Sequence, residues 1–377
     1  MSVLVIGAGR SGTSALAGAL EALGLSVGPQ ADLVPSSQQN PSGFFELRAV
    51  AELNEELLIH FGGAWDCPPA LPENWFTDPG MADFIGRAQE LLKASFGQNP
   101  FVLKDPRIAL LLPFWRRVLL DRCCAVMVVR DPTAVAWSLS LSFGWSGISS
   151  LVLWSTYNRS AIDGLSGLPV HICSYEELVE TPVETLTAIT ESLRLWDEVP
   201  KDSDFDAAVA RINPGLRRDT WPRNQTDFVT PPPEFARLAS ALMEKRGRHD
   251  SFDPGNLPDP GPWHPALLEE RRTGRLQQRA SRDLIDALAA ECATLRADCE
   301  ALQANGDGLR MDNERLRTQA QQLESQVAVA RTELASMEDE VDGVRDDLDR
   351  LLQSRTFRYT ATLRNLYAAF RREVGLG

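Results

Sequence analysis

The N-terminal part of the sequence joins a short apolar run to an amphipathic helical pattern through a glycine-containing turn, VLVIGAGRSGTSALAGALEALG. Gly7, Gly9 and Gly12 lie in this turn, between the predicted strand and the predicted helix. Such a turn directs backbone N–H groups and the positive end of the helix dipole towards an anion. The segment therefore predicts a phosphate-binding loop at the end of a buried strand, followed directly by a helix.

Short apolar runs alternate with helical patterns up to about residue 250. The predicted strands lie near Val3–Ile6, Phe101–Lys104, Ala125–Val129 and Val170–Ser174. An alternation of strands and helices is typical of a parallel sheet whose faces are covered by helices. We therefore predict an α/β domain over residues 1–250, with a P-loop-like parallel sheet flanked by helices.

The C-terminal third has a different pattern. Residues 251–265 read SFDPGNLPDPGPWHP, and their prolines predict a linker because proline fixes φ and lacks a backbone N–H donor. Residues 266–353 carry a heptad pattern, which predicts a long C-terminal α-helical coiled coil. Asn313 at an a position favours a parallel homodimer, since its amide can hydrogen-bond to its counterpart. Two glycines predict a break near Asn305–Gly308.

Residues 354–377 form a basic segment with aromatic and leucine residues at helical spacing. This composition predicts an amphipathic helix that either lies on anionic lipid or packs on its dimer mate.

The charge balance limits the partners of the chain. There are 38 Lys and Arg residues against 52 Asp and Glu residues, which gives a net charge of −14. A general nucleic-acid binder needs clustered positive charge, so we expect no nucleic-acid partner. The start of the sequence has no basic n-region, and no stretch of about eighteen apolar residues follows it, so we expect a cytoplasmic protein, at most peripheral on the inner membrane face.

A second segment with anion-binding character is VVRDPTAVAWSL, residues 128–139. Arg130 ends a predicted strand, Pro132 suits the first turn of a helix, and Ser138 follows about two turns later. The sequence predicts that Arg130 and Ser138 hold one phosphate between them.

The glycine loop alone leaves other functions open. Gly7, Gly9 and Gly12 also satisfy the FAD or NAD fingerprint, and Asp32 has the spacing of its ribose-binding acid. A nucleoside triphosphatase would require lysine where Thr13 stands. A non-catalytic scaffold that binds a nucleotide and acts through its coiled coil is another alternative.

Five segments together resemble the superfamily of sulfotransferases that use 3′-phosphoadenosine 5′-phosphosulfate (PAPS). They are GRSGTS at 9–14, NPSGFFE at 40–46, VLKDPR at 102–107, VVRDPTAVAWSL at 128–139 and YEEL at 175–178. The resemblance implies a metal-independent enzyme. It places the 5′-phosphosulfate at Gly9, Arg10, Ser11, Gly12, Thr13 and Ser14. It also places Arg130 and Ser138 at the 3′-phosphate and Tyr175 near the adenosine.

The resemblance also suggests the catalytic residues. Arg10 and Lys104 would contact the bridging and sulfonate oxygens. Glu46 is the first choice for the general base, because its aromatic neighbours could raise its pKa; a structural Glu46 is the competing interpretation. Asp105 and His60 are the other candidates for the base, since relatives that use a histidine carry it where this chain has Pro106.

The expected acceptor is a hydroxyl group, most readily on a carbohydrate of a cell-envelope glycan or glycolipid. Six tryptophans are candidates for a sugar-stacking wall, of which one or two are expected at the acceptor cleft and the rest in the core; they are Trp65, Trp75, Trp115, Trp145, Trp154 and Trp221.

Overall fold

A computed structural model describes residues 2–36, 40, 43–195, 204–212, 231–261, 264–304 and 310–353. The chain divides into two compact units, Met1–Leu268 and Glu269–Gly377. The tail at 354–377, the break at 305–308, Trp221 and two residues of the NPSGFFE segment, Pro41 and Ser42, lie outside the described residues.

The first unit is built on a five-stranded sheet with the order β2-β1-β3-β4-β5. The strands are β1 (Ser2–Ile6), β2 (Phe101–Lys104), β3 (Cys123–Val129), β4 (Val170–Ser174) and β5 (Gly247–His249). Strands β1 to β4 pair in parallel, which confirms the predicted parallel sheet. Strand β5 pairs antiparallel with β4 and was not predicted, because its three residues, GRH, have no apolar pattern.

Eleven α-helices accompany this sheet in the described part of the first unit, counting the long helix that continues into the second. The ranges are α1 (Thr13–Ala22), α2 (Arg48–His60), α3 (Met81–Phe96), α4 (Ile108–Val118), α5 (Pro132–Phe143), α6 (Gly147–Gly164), α7 (Tyr175–Glu180), α8 (Pro182–Leu195), α9 (Phe205–Arg211), α10 (Pro233–Met243) and, crossing the boundary, α11 (His264–Ala304). Every residue of β1, β3 and β4 is buried. The strands can be apolar along their whole length because helices cover both faces of the sheet.

The sheet order places a binding crevice at one edge. Strand β1 lies between β2 and β3. The connection that leaves β1 leads to β2 on one side and the connection that leaves β3 leads to β4 on the other, so the two diverge between β1 and β3. In open parallel sheets, ligands bind outside the carboxyl ends of the strands at such a position. Val5 of β1 is in register with Lys104, the last residue of β2. The glycine loop and Lys104 therefore share this edge of the sheet.

Part of the predicted linker packs on the first unit. Phe252 is buried, its N–H donates to Leu168 O (2.9 Å), and its own carbonyl accepts from Gly167 N (2.8 Å). The aromatic side chain and the two backbone hydrogen bonds fix this segment despite its prolines. Helix α11 then begins at His264.

The second unit contains most of α11, together with α12 (Arg310–Gln353). The two helices touch where Cys292 Sγ donates to Ala320 O at 3.7 Å, and Arg296 pairs with Glu324.

The heptad positions take part in this intramolecular contact. Ile285 and Cys292 of α11 and Ala320 and Val327 of α12 occupy predicted a positions, and all four are buried. Parallel pairing of two copies, which Asn313 predicted, stays a prediction. Heptad spacing specifies an apolar stripe on a helix but not the helix that covers it.

Candidate active site

The loop between β1 and α1 has the backbone conformation that its glycines allow. Arg10 and Gly12 both have positive φ, 70° and 88°. A Cβ atom at Gly12 would lie 2.4 Å from the ring of Tyr175, so glycine is required there for both backbone and space. Ser11 N donates to Ala8 O at 3.2 Å and closes the turn.

The first turn of α1 faces a cavity. Gly9, Arg10, Gly12, Thr13 and Ser14 line this cavity, which has a volume of about 510 Å³. The N-cap of α1 is Gly12, which has no side chain to cap the first N–H groups, and the first turn contains no acidic residue. The N-terminus of the helix is thus available to an anion.

Gly9 and Ser11 of the loop differ in their access to the cavity. A Cβ at Gly9 would meet nothing within 4 Å, so the loop leaves open space at this point that a side chain would fill. Ser11, by contrast, is fully buried and does not line the cavity. Its hydroxyl oxygen is buried and has no hydrogen-bond partner among the described residues, and its predicted contact with the 5′-phosphosulfate stays a prediction.

Four residues predicted at the nucleotide come together beside the loop. Arg10 Nε donates to Ser138 Oγ at 2.9 Å, although 128 residues separate them. Arg130 Nη1 donates to the carbonyl of Arg10. The Arg130 guanidinium lies 4.1 Å from the centroid of the Tyr175 ring. The structure thus brings Arg130 and Ser138 to the same loop, where Ser138 bonds to Arg10 and Arg130 to the loop backbone; that the two residues hold one phosphate between them stays a prediction.

The start of α5 fixes the position of this cluster. Asp131 caps the helix by accepting from Ala134 N at 2.9 Å, and Pro132 occupies the first turn, as the sequence predicted. Trp154 Nε1 on α6 donates to Arg130 O at 3.1 Å. These hydrogen bonds fix the backbone at Arg130 and at the residue that follows it. The Arg130 guanidinium is positioned by its contacts with the loop carbonyl and the Tyr175 ring.

Lys104 and Glu46 form a buried ion pair at the same edge of the sheet. Lys104 Nζ donates to Glu46 Oε1, to Phe44 O (3.1 Å) and to Ser14 Oγ (3.2 Å). Asn40 Nδ2 also donates to Ser14 Oγ at 3.1 Å. The lysine therefore links the glycine loop to the segment that carries Glu46, and the structure brings these predicted catalytic residues together.

Burial raises the pKa of the Glu46 carboxyl above its ordinary value of 4.5, and the charge of Lys104 opposes this effect in part. Removing a carboxylate from water disfavours its charged form, which explains the direction. A raised pKa brings a carboxylate closer to the range in which it accepts a proton efficiently near neutral pH.

The other candidates for the base are differently placed. Asp105 is buried and accepts from Arg107 N (2.7 Å) and Arg107 Nη1 (2.6 Å). His60 is exposed at the end of α2, its ring packs against Phe61 with centroids 5.0 Å apart, and it does not line the cavity. Of the three, only Glu46 lines the cavity.

Sequence reasoning missed two residues of the site. Arg107 lines the cavity, and its Nε donates to Glu55 Oε2 at 2.9 Å. Tyr157 lines the cavity from α6, and its hydroxyl donates to Trp65 O at 2.6 Å. The position of Arg107 just after Lys104-Asp105-Pro106, at a strand end, could have indicated it. The apolar pattern of α6 gives no comparable signal for Tyr157.

The predicted tryptophans that the structure describes lie in the core, at the cavity or, for Trp145, at a partly exposed position that does not line the cavity. Trp75 and Trp115 are buried in the core, and Trp115 Nε1 donates to Asn54 Oδ1 at 2.8 Å. Trp65 and Trp154 line the cavity.

The arrangement of the strands also bears on the dinucleotide alternative. The strand that follows α1 along the chain is β2, which ends at Lys104, whereas Asp32 lies in a short 3-10 helix, Gln30–Asp32. A dinucleotide site of this type needs its acidic residue at the end of the second strand. Asp32 does not meet that requirement.

Among the described residues, no group of three or more His, Cys, Asp or Glu side chains is arranged to hold a metal ion. In the same part of the chain, no helix combines the length and the apolar character needed to cross a membrane.

Comparison with known proteins gives matches to solved structures alone. No family model matches the chain, and no curated protein matches it. One similar structure is a sulfotransferase domain from the curacin biosynthetic pathway, with 18% identity and a TM-score of 0.37; the match covers 64% of this chain and 96% of that one. Another is a sulfotransferase domain from the Synechococcus PCC 7002 olefin synthase, with 19% identity and a TM-score of 0.33; the match covers 71% of this chain and 94% of that one. The function of this chain has to be argued from the geometry of its own site.

Proposed function

We propose that this chain is a sulfotransferase that moves the sulfuryl group of PAPS to a hydroxyl group, on a carbohydrate of a cell-envelope glycan or glycolipid. The observation that carries the proposal is the meeting of three kinds of group at one cavity. These are an anion-binding helix N-terminus, the cations Arg10 and Lys104, and the buried carboxylate Glu46.

The residues present fit a donor with two anionic ends. Gly9 leaves open space for close approach of a phosphate to the loop backbone, and the N-terminus of α1 supplies N–H donors. Arg130 and Ser138, beside the loop, would hold the 3′-phosphate, and Tyr175 would lie near the adenosine. PAPS supplies an activated sulfuryl group whose leaving group is a phosphate.

Sulfuryl transfer requires positioning and charge stabilisation. Arg10 and Lys104 would stabilise the negative charge on the sulfonate oxygens and on the departing phosphate oxygen. Three acceptors hold the ammonium of Lys104 in place at the cavity, so its positive charge would act on these oxygens from a fixed position, and a direct hydrogen bond would replace one of the three.

Glu46 would take the proton of the acceptor. As the acceptor oxygen bonds to sulfur and the bond from sulfur to the phosphate oxygen breaks, the hydroxyl proton passes to the Glu46 carboxylate. Lys104 keeps this carboxylate ionised until it is needed, while burial raises its pKa towards that of a useful base.

The test uses the purified full chain with ³⁵S-labelled PAPS and fractionated envelope glycans, lipids and proteins. Glu46→Gln should lower turnover by about 10²–10⁴-fold, as the loss of a general base does, and leave the affinity for PAPS nearly unchanged. Glu56→Gln is the matched control, because Glu56 is an exposed glutamate on α2 that pairs with Arg87.

Each negative result has a separate meaning. Unchanged turnover in Glu46→Gln would transfer the role of base to another residue. Binding of PAPS without transfer to any fraction would favour the non-catalytic scaffold, and no binding of PAPS would reject the proposal.

We also propose that the protein works as a homodimer joined through residues 266–353, in the cytoplasm, and that residues 354–377 contact anionic lipid on the inner membrane face. The five arginines of that basic tail support the lipid contact, with about 1 kcal/mol of attraction per basic residue. Co-sedimentation with anionic liposomes that persists after deletion of residues 354–377 would reject it.

A further inference from the structure

Three aromatic rings pack together, and two of them, Trp65 and Phe143, line the cavity. Phe143, at the end of α5, stacks on Trp145 with centroids 4.7 Å apart and an angle of 22° between the rings. Trp65 lies 5.4 Å from each of them in a tilted arrangement. Phe143 is 40% exposed, and both tryptophans are partly exposed. This aromatic cluster therefore presents ring surface to solvent instead of closing a core.

The cluster and the glycine loop belong to one cavity. Val135, Leu139 and Phe143 follow one another at intervals of four residues on α5, and all three line the cavity. Eight residues of helix span about 12 Å. The same helix carries Ser138, which accepts from Arg10. The cavity thus runs along α5 from the cations to the aromatic cluster.

Hydrogen-bonding groups lie between these two ends. Tyr157, by donating to Trp65 O, fixes the backbone of the aromatic cluster. Arg107 lines the cavity, and its Nε and one Nη are bonded to Glu55 and Asp105. Within the described residues, its remaining N–H donors have no partner, and the side chain is 20% exposed. They are available to a polar ligand in the cavity.

We propose that Trp65 and Phe143, supported by the stacked ring of Trp145, form an acceptor subsite that binds the apolar face of a pyranose ring, with Arg107 hydrogen-bonded to hydroxyls at the rim of that ring. The inference rests on the proposed function, because it assigns the two ends of the cavity to donor and acceptor.

The two kinds of surface in the cavity favour a pyranose over an alkyl chain. A pyranose offers C–H groups on its face for the aromatic rings and hydroxyl groups at its edge for the guanidinium. An alkyl alcohol would cover the rings equally well but would remove water from Arg107 without replacing its hydrogen bonds, which is unfavourable.

The experiment is saturation-transfer NMR on the full chain in the presence of saturating adenosine 3′,5′-bisphosphate. The probes are the methyl β-glycosides of glucose, galactose and mannose, with 1-hexanol as the apolar alcohol. Calorimetry on the same samples measures nucleotide binding. We expect at least one glycoside to receive saturation at its ring protons, and 1-hexanol to receive far less.

The variants locate the binding surface. Trp65→Ala and Phe143→Ala should each weaken glycoside binding by about tenfold, and Trp65→Phe should restore most of it, since stacking requires an aromatic ring. Leu141→Ala is the matched control: Leu141 is 62% exposed on the same helix and does not line the cavity, so glycoside binding should be unchanged.

Normal nucleotide binding with no glycoside binding, or with equal saturation of 1-hexanol, would overturn the pyranose subsite and leave the sulfotransferase proposal standing. Absence of nucleotide binding in the unmodified chain would overturn both.

Discussion

Replacing Arg130 with alanine would separate two contributions of this residue to nucleotide binding. Its guanidinium donates to the carbonyl of Arg10 in the glycine loop and stacks on Tyr175 at 4.1 Å. In the proposed complex it also pairs with the 3′-phosphate. The first contribution concerns the loop, and therefore any ligand bound there. The second concerns only a ligand that has a 3′-phosphate.

The magnitudes follow from the contacts. A charge-assisted, two-pronged bond to a phosphate contributes about 2–4 kcal/mol, and a single hydrogen bond that holds a loop contributes about 1 kcal/mol. Arg130→Ala should therefore weaken binding of adenosine 5′-phosphate by about 1 kcal/mol. The loss for adenosine 3′,5′-bisphosphate should be larger by a further 2–4 kcal/mol, or about 30- to 1,000-fold.

Isothermal titration calorimetry with both nucleotides measures the two losses. Arg130→Lys is the graded control, since it retains the charge but loses the planar guanidinium that fits a phosphate and stacks on a ring. A thermal melt of each variant checks that the fold persists. Equal losses for the two nucleotides would refute the reasoning, because the 3′-phosphate would then have no contact with this residue.

Three further predictions concern the loop, the second unit and pH. Gly12→Ala should destabilise the protein by at least about 1–2 kcal/mol in urea unfolding and weaken nucleotide binding, because the φ of Gly12 is 88° and the new Cβ would meet a tyrosine ring. The control is Gly86→Ala, in a helix with open space around the residue, which should stabilise the protein by up to about 1 kcal/mol. Ala320→Cys should form a disulfide with Cys292 within one chain under mild oxidation, because the two sites touch. A non-reducing gel should then show a monomer. A covalent dimer would instead support parallel pairing of two copies. Burial lowers the pKa of His171 from 6.5 to about 4, so the unfolded chain takes up this proton first as the pH falls. The contribution of His171 to the free energy of unfolding should therefore fall between pH 6.5 and 4, by up to about 3 kcal/mol. His171→Gln should show a weaker dependence over the same range, and an unchanged dependence would contradict the assignment.

Local patterns in the sequence were sufficient for the elements of the first unit. Apolar runs predicted the four parallel strands, because a strand covered on both faces must be apolar along its length. Glycine spacing predicted the turn before α1, and Asp131-Pro132 predicted the start of α5. Lys104 could be placed at the edge of the sheet because it ends a strand. All of these inferences depend on residues within a few positions of one another.

The tertiary structure decided which of these residues meet. Arg10 bonds to Ser138 and Lys104 to Glu46 across 128 and 58 residues, because the parallel crossovers bring the ends of separate strands together. The burial that raises the pKa of Glu46, and the path of the cavity to the aromatic cluster, likewise come from the packing of distant helices. In the second unit, the heptads specified apolar stripes, and the structure shows that α11 and α12 of one chain touch at Cys292 and Ala320. The sequence determined the elements and the chemistry of their ends, because these depend on local spacing. Only the fold determined which side chains form hydrogen bonds and ion pairs with each other and which helices touch, because these contacts depend on distances between segments that no local pattern encodes.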